Sequence, residues 1–134
     1  MTDMHINQPD VHAEVTASAM RYERAFVAND IPVLDELFWR SEHTIRYGAT
    51  EVLYGAEEIA AFRRARGAKE LARTIRRLVV TTFGAEFAIV NLEFEREGTS
   101  TIGRQSQGWV RMAEGWRVVS AHISSMPAST EKGG

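Results

Sequence analysis

The sequence has 134 residues, 44% of them hydrophobic and 25% charged, which is the balance of an ordinary globular protein with room for one domain. Sixteen basic against eighteen acidic residues leave a net charge of -2, no electrostatic footprint for nucleic acid or an anionic membrane. There is no cysteine, so disulfides, zinc–thiolate sites and thiol catalysis are excluded.

Met1-Thr2-Asp3-Met4-His5 offers neither a basic n-region nor an apolar h-region, and no apolar run reaches bilayer-spanning length. A cytoplasmic location is therefore expected. Val11, Val15, Ser18, Tyr22, Phe26 and Asn29 recur at spacings of three and four and predict a first helix, with Asn7 or Asp10 as its cap and Pro9 in its first turn. Asp30 predicts the cap of a short second helix with Val33, Leu34, Leu37 and Phe38 inward. Two short extended runs follow, residues 44–47 and 51–54, broken by Gly48. A third helix begins at Gly55, with Ile59 and Phe62 inward, Arg63, Arg64 and Arg66 outward, and Gly67 as its stop.

The rest reads as strands over residues 71–83, 87–96, 99–112 and 116–126. In the second of these, Ala88, Val90, Leu92 and Phe94 share one face against Asn91, Glu93 and Glu95. In the last, strict alternation puts Trp116, Val118, Ser120, His122 and Ser124 on one face. Residues 8–127 are the expected core of a single domain, and the polar tail beyond is expected to be disordered. Helices first and an antiparallel meander afterwards predict an α+β fold, the helices covering one face of the sheet. Gly103 and Gly108 within a long strand point to bulges or bends, and a strongly curved sheet leaves a cavity that three helices do not fill.

Candidate site residues follow from that cavity. Tyr22 is either a core tyrosine or a pocket hydroxyl, and a phenol is protonated at pH 7 and can donate a proton. Arg46 shares a face with Thr44, opposite His43, Ile45 and Tyr47. It points either to solvent or inward, where its planar fork would grip a carboxylate. Arg104, Gln105, Ser106 and Gln107 form a polar run between Gly103 and Gly108 in what reads as a central strand. A buried polar patch is costly unless bonded or wet, so the run is a candidate cavity wall. His122 and Ser124 could extend that wall, Arg73 is a further inward candidate, and Trp39 and His43 could border the mouth. Arg76 and Arg77 read as solvated, as do Glu93 and Glu95. The four histidines, His5, His12, His43 and His122, show no metal-ligand spacing, and no nucleophile elbow, dinucleotide fingerprint or P-loop is present. No cofactor and no metal are expected.

Five segments together resemble one family: Leu37-Phe38-Trp39, Thr44-Ile45-Arg46-Tyr47-Gly48, residues 79–84, Gly103-Arg104-Gln105-Ser106-Gln107-Gly108-Trp109-Val110-Arg111, and residues 115–124 ending in Ala121-His122-Ile123-Ser124. This is the AtzH-like family, which includes the HpxZ proteins associated with oxalurate catabolism, within the SnoaL-like, cystatin-like cones of the nuclear transport factor 2 fold. The likeness runs from about Val11 to Met126. It implies an α+β cone with a polar pocket, assembled as a homodimer or higher homo-oligomer through the outer face of its sheet. It also implies a decarboxylating amidohydrolase that turns 1,3-dicarboxyurea into allophanate, as in cyanuric acid breakdown, with no metal or cofactor. The partner so implied is a small carboxylated urea or related dicarboxylate. The tyrosine and arginine that such activity needs are matched here by Tyr22 and Arg46. A non-catalytic, acid-binding accessory protein of oxalurate catabolism is the alternative. A ketosteroid-isomerase-like enzyme would want a larger apolar pocket and an acidic base.

Overall fold

The computed structural model of the protein describes residues 4–68 and 71–128. Helix α1 spans Pro9–Ala28, α2 Ile31–Leu37 and α3 Ala56–Arg66. Strands β1 (Ile45–Tyr47) and β2 (Val52–Tyr54) precede α3, and β3 (Thr74–Phe83), β4 (Phe87–Glu95), β5 (Thr101–Met112) and β6 (Gly115–Pro127) follow it. Of the tail expected to be disordered, Ala128 is held by its N–H to the Ser100 carbonyl, and the last six residues lie outside the described residues.

Helix α1 buries Val11, Val15, Ala19, Tyr22 and Phe26, the stripe that its spacing predicts, and Asp30 caps α2 by accepting from the Val33 N–H. The expected cap of α1 is not formed. Gln8 holds the N-cap position without a side-chain bond, while Asn7 uses its side-chain oxygen to accept from the Thr82 N–H. The amino-terminal segment is thereby tied to the sheet. Ile6 bridges Phe83, and the Asn7 N–H donates to the Thr82 carbonyl.

One six-stranded sheet runs in the order β2-β1-β6-β5-β4-β3. Strands β3 to β6 form the antiparallel meander read from the sequence. Strand β1 joins it parallel to β6, because the chain returns to the sheet through the α2 connection, where Phe38 already bridges Val118. The sheet is therefore mixed. Val80, Ala88, Val90, Leu92, Phe94, Trp109 and Val118 turn inward against Val15, Leu34, Leu37 and Ile59. Each wholly buried Val, Leu or Ile side chain stabilises the fold by roughly 1.5–3 kcal/mol.

A bulge in β6 and a close approach at Gly103 shape the interior. Gly108 pairs with Ser120 but Trp109 with Val118, so Val119 is an extra residue in β6. That bulge reverses the alternation along β6. Trp116 and Val118 point inward before it and Ala121 after it, while Ser120 and His122 are exposed. The single face expected for Trp116 through Ser124 is thus split. At Gly103, close approach is the reason for glycine: a Cβ there would lie 2.1 Å from the Phe94 ring, which lies over the strand.

Candidate active site

Alternation along β1 sets Thr44 and Arg46 inward, and both are buried. The Arg46 guanidinium lies 5.3 Å over the Phe62 ring, and its Nη1 donates to Glu51 Oε2 at 2.6 Å. Tyr22, at 3% exposure, sits on α1 with ring centroids 6.2 Å from Phe26 and 6.0 Å from Phe38. Among the described residues nothing hydrogen-bonds to its hydroxyl.

Helix α3 corrects the sequence reading. Arg63 is not outward but 3% exposed, stacked 4.3 Å over Phe38 with Nη1 donating to Asp35 at 3.0 Å. Arg66 is half-buried, 5.1 Å over Phe26 and 5.6 Å over Phe62. The cause is periodicity. Ile59, Arg63 and Arg66 are four and three residues apart and occupy one stripe, so the stripe that buries Ile59 also carries both arginines inward. Only Arg64 is exposed as expected.

Electrostatics join these groups. Burial pushes the Arg63 guanidinium below the usual arginine value, opposed first by Tyr22 and then by Asp35, with Arg46 adding to the depression. Arg66 is lowered in the same way, by burial first and then by the like charge of Arg46, against the pull of Tyr22. Tyr22 on α1 and Arg46 on β1 are therefore both within electrostatic reach of the same two guanidiniums.

The bonding of the cluster is incomplete. Arg46 pairs with Glu51, Arg63 with Asp35, and Arg73 with Glu23, whereas Arg66 has no carboxylate partner among the described residues. Its Nε and Nη2 are both buried without an acceptor, as is Arg63 Nη2. Nε and Nη2 form one edge of the guanidinium fork, the edge that takes a carboxylate through two parallel bonds. Unpartnered buried donors are rare in native proteins and call for an explanation.

Arg73, a further inward candidate in the sequence, continues the wall. Its side chain is fully buried between Phe26 at 4.1 Å and Phe94 at 4.3 Å. It clasps Glu23 through bonds of 2.8 and 2.7 Å and donates to Gln105 at 3.2 Å, leaving Nη1 unpartnered. Gln105 and Gln107 line the interior as expected. Gln107 accepts from the Trp109 indole at 3.0 Å while its Nε2 has no acceptor. Between Tyr22, Glu23, Gln105 and Gln107 about 10 Å³ of space remains, room for a single water. A wider recess of about 240 Å³ runs between α2 and α3 beside Asp35, Phe38 and Arg63.

Six sequence candidates fall outside this cluster. Arg104 and Ser106 alternate with the inward glutamines and face the outer side of the sheet. There Arg104 donates to Ser124, and Ser106 to Asn91. His122 is exposed beside Tyr47 because of the β6 bulge, and Ser124 is taken up by Arg104. The expected continuous polar wall is therefore only its alternate half, Gln105 and Gln107. Trp39, half-buried, stacks on exposed His43 at 6.1 Å on the surface after α2.

A family model described as AtzH-like matches residues 4–129. The chain belongs to the AtzH-like family. Two solved structures are similar over nearly the whole AtzH-like chain. A protein of unknown function from the DUF3225 family of Pectobacterium atrosepticum SCRI1043 is 56% identical, with TM-score 0.89 over 90% of this chain and 94% of its own. A cystatin-like fold protein of Burkholderia xenovorans LB400 is 45% identical, with TM-score 0.89 over 92% and 98%. An NTF2-like superfamily protein of Salmonella enterica serovar Typhimurium LT2 matches at 25% identity and TM-score 0.71 over 92% and 96%. These likenesses agree with the α+β cone read from the AtzH-like motifs. No curated protein matches the sequence.

Proposed function

We propose that the chain is a decarboxylating amidohydrolase of small N-carboxylated ureas, acting on 1,3-dicarboxyurea to give allophanate. The observation that carries the reading is the Nε–Nη2 edge of Arg66, buried and without a partner among the described residues, beside Tyr22, Arg46 and Arg63. A buried cation with its carboxylate-binding edge unfilled is complementary to an anion held out of water. Tyr22 adds a proton donor that no described protein group engages.

The chemistry needs those two things. Breaking the N–C bond of an N-carboxylate sends the bonding electrons to nitrogen, which must take a proton if it is not to leave as an anion. The dianion plus one proton gives the monoanion of allophanate and CO2. In this reading Arg66, with Arg63, grips one carboxylate and Tyr22 delivers its proton to the departing nitrogen. The phenolate left behind is held by the same two guanidiniums until solvent restores the proton. Gln107 Nε2 and Arg73 Nη1 are further buried donors without an acceptor.

The test is CO2 release from freshly generated 1,3-dicarboxyurea, with and without protein. Wild type should accelerate it, and Tyr22→Phe should lower kcat/KM by roughly 10²–10⁴, the usual worth of a positioned general acid, while still binding the dicarboxylate analogue malonate. Full activity in Tyr22→Phe would remove the proton-donor role. Malonate binding without any acceleration by wild type would leave the chain as a small-acid-binding protein.

A further inference from the structure

Arg46 is the one cluster arginine whose protein carboxylate comes from a surface turn. The connection 48–51 between β1 and β2 is closed by a Gly48 N–H bond to the Glu51 carbonyl, and Glu51 folds its side chain back over that glycine. A Cβ on Gly48 would lie 1.7 Å from Glu51 Oε2, so the missing side chain makes the space that the carboxylate occupies. Glu51 Oε2 takes the Arg46 bond and Thr50 donates to Oε1 at 3.0 Å. The Glu51 side chain keeps 17% exposure, against 10% for Glu23 and 24% for Asp35, and of the three only Glu51 sits in a turn rather than on a helix. It can rotate outward without opening the core.

Charge balance gives this a consequence. Among the described residues the cluster holds four guanidiniums, Arg46, Arg63, Arg66 and Arg73, and three carboxylates, Glu23, Asp35 and Glu51. With Glu51 in place one positive charge is unmatched, enough for a monoanion. With Glu51 turned out two are unmatched, enough for a dianion.

We propose that Glu51 is a specificity-determining residue, an internal carboxylate that occupies Arg46 until the second carboxylate of a dianionic ligand displaces it. The first carboxylate binds the vacant edge of Arg66. This deepens the proposed function and rests on its anion site: Glu51 sets how strongly a short dicarboxylate is preferred there over a monoanion.

The test compares malonate with malonamate, the same shape with one carboxylate replaced by an amide, by calorimetric titration at about 0.15 M salt to screen long-range attraction. Glu51→Gln should raise the preference for malonate over malonamate roughly tenfold, by removing the competing charge. Gly48→Ala provides an independent arm. Its backbone is not in the left-handed region, so the methyl meets chiefly the Glu51 carboxylate and drives it off Arg46 with the charge retained. It should raise the same preference. A preference changed by less than about twofold in both variants, with malonate still binding wild type, overturns the role of Glu51 and leaves the anion site standing. Failure of wild type to bind either acid overturns both.

Discussion

Replacing Arg66 by methionine separates the cluster's function from its stability. Arg66 contributes stacking on Phe26 and Phe62, roughly 0.5–1 kcal/mol for each ring at a partly exposed site. Against this stand two buried donors without acceptors. Each costs about 1–3 kcal/mol when wholly desolvated, and the low end applies to a half-buried residue. The like charges of Arg46 and Arg63 add to the cost. Methionine keeps most of the volume and its own contact with the rings. The balance favours Arg66→Met by about 1 kcal/mol in the ligand-free protein. With an unfolding entropy of about 0.28 kcal/mol/K for 134 residues, the Tm should rise by about 3–4 °C. Malonate at a hundredfold excess over its Kd would stabilise wild type by about 2.7 kcal/mol, near 10 °C, and should leave the variant's Tm almost unmoved. Differential scanning fluorimetry with and without malonate reads both numbers. A ligand-free variant that melts several degrees lower, yet keeps the malonate shift, would refute the reasoning.

Four further outcomes are expected. Glu23→Gln strips the charge from a buried two-point pair and should cost about 3–5 kcal/mol in chemical denaturation, most of it recovered in Glu23→Gln with Arg73→Met. Gly103→Ala forces the Phe94 ring off the strand and off Arg73, a loss of about 1–3 kcal/mol with an unchanged denaturant slope. Burial pushes the Glu51 carboxyl up, but the Arg46 and Thr50 hydrogen bonds outweigh it and hold it below the ordinary 4.5. The stability that Arg46–Glu51 confers should therefore be fully present above that pH and fade as the pH falls through the depressed value. A gap between wild type and Glu51→Gln that closes only under acid would show it. Tyr22→Phe removes a hydroxyl that no described residue engages, so its stability should stay within about 1 kcal/mol of wild type, a Tm shift of at most about 4 °C, read by the same melts.

Periodicity made the helices and the β4 alternation legible, because each rests on an unbroken repeat of 3.6 or 2; for Arg46 it gave the face shared with Thr44 and left the direction of that face open. The outer-face positions of His122 and Ser124 were not legible, since one extra residue at Val119 reverses every side chain beyond it and nothing in the local composition marks the bulge. Arg104 and Ser106 were legible in principle. Strict alternation with Gln105 and Gln107 allows only half of the polar run to face inward. Arg63 and Arg66 were hidden by the ordinary tendency of arginine to face water, although their spacing from Ile59 carried the signal. The pairing of Glu23 with Arg73 joins residues fifty apart and has no local signature.

The most direct measurement is a crystal structure with malonate at saturating concentration. The account expects one malonate carboxylate on the Nε–Nη2 edge of Arg66, at about 2.7–2.9 Å, within reach of Tyr22. Malonate bound elsewhere, with that edge turned to solvent or filled by a protein carboxylate, would contradict it.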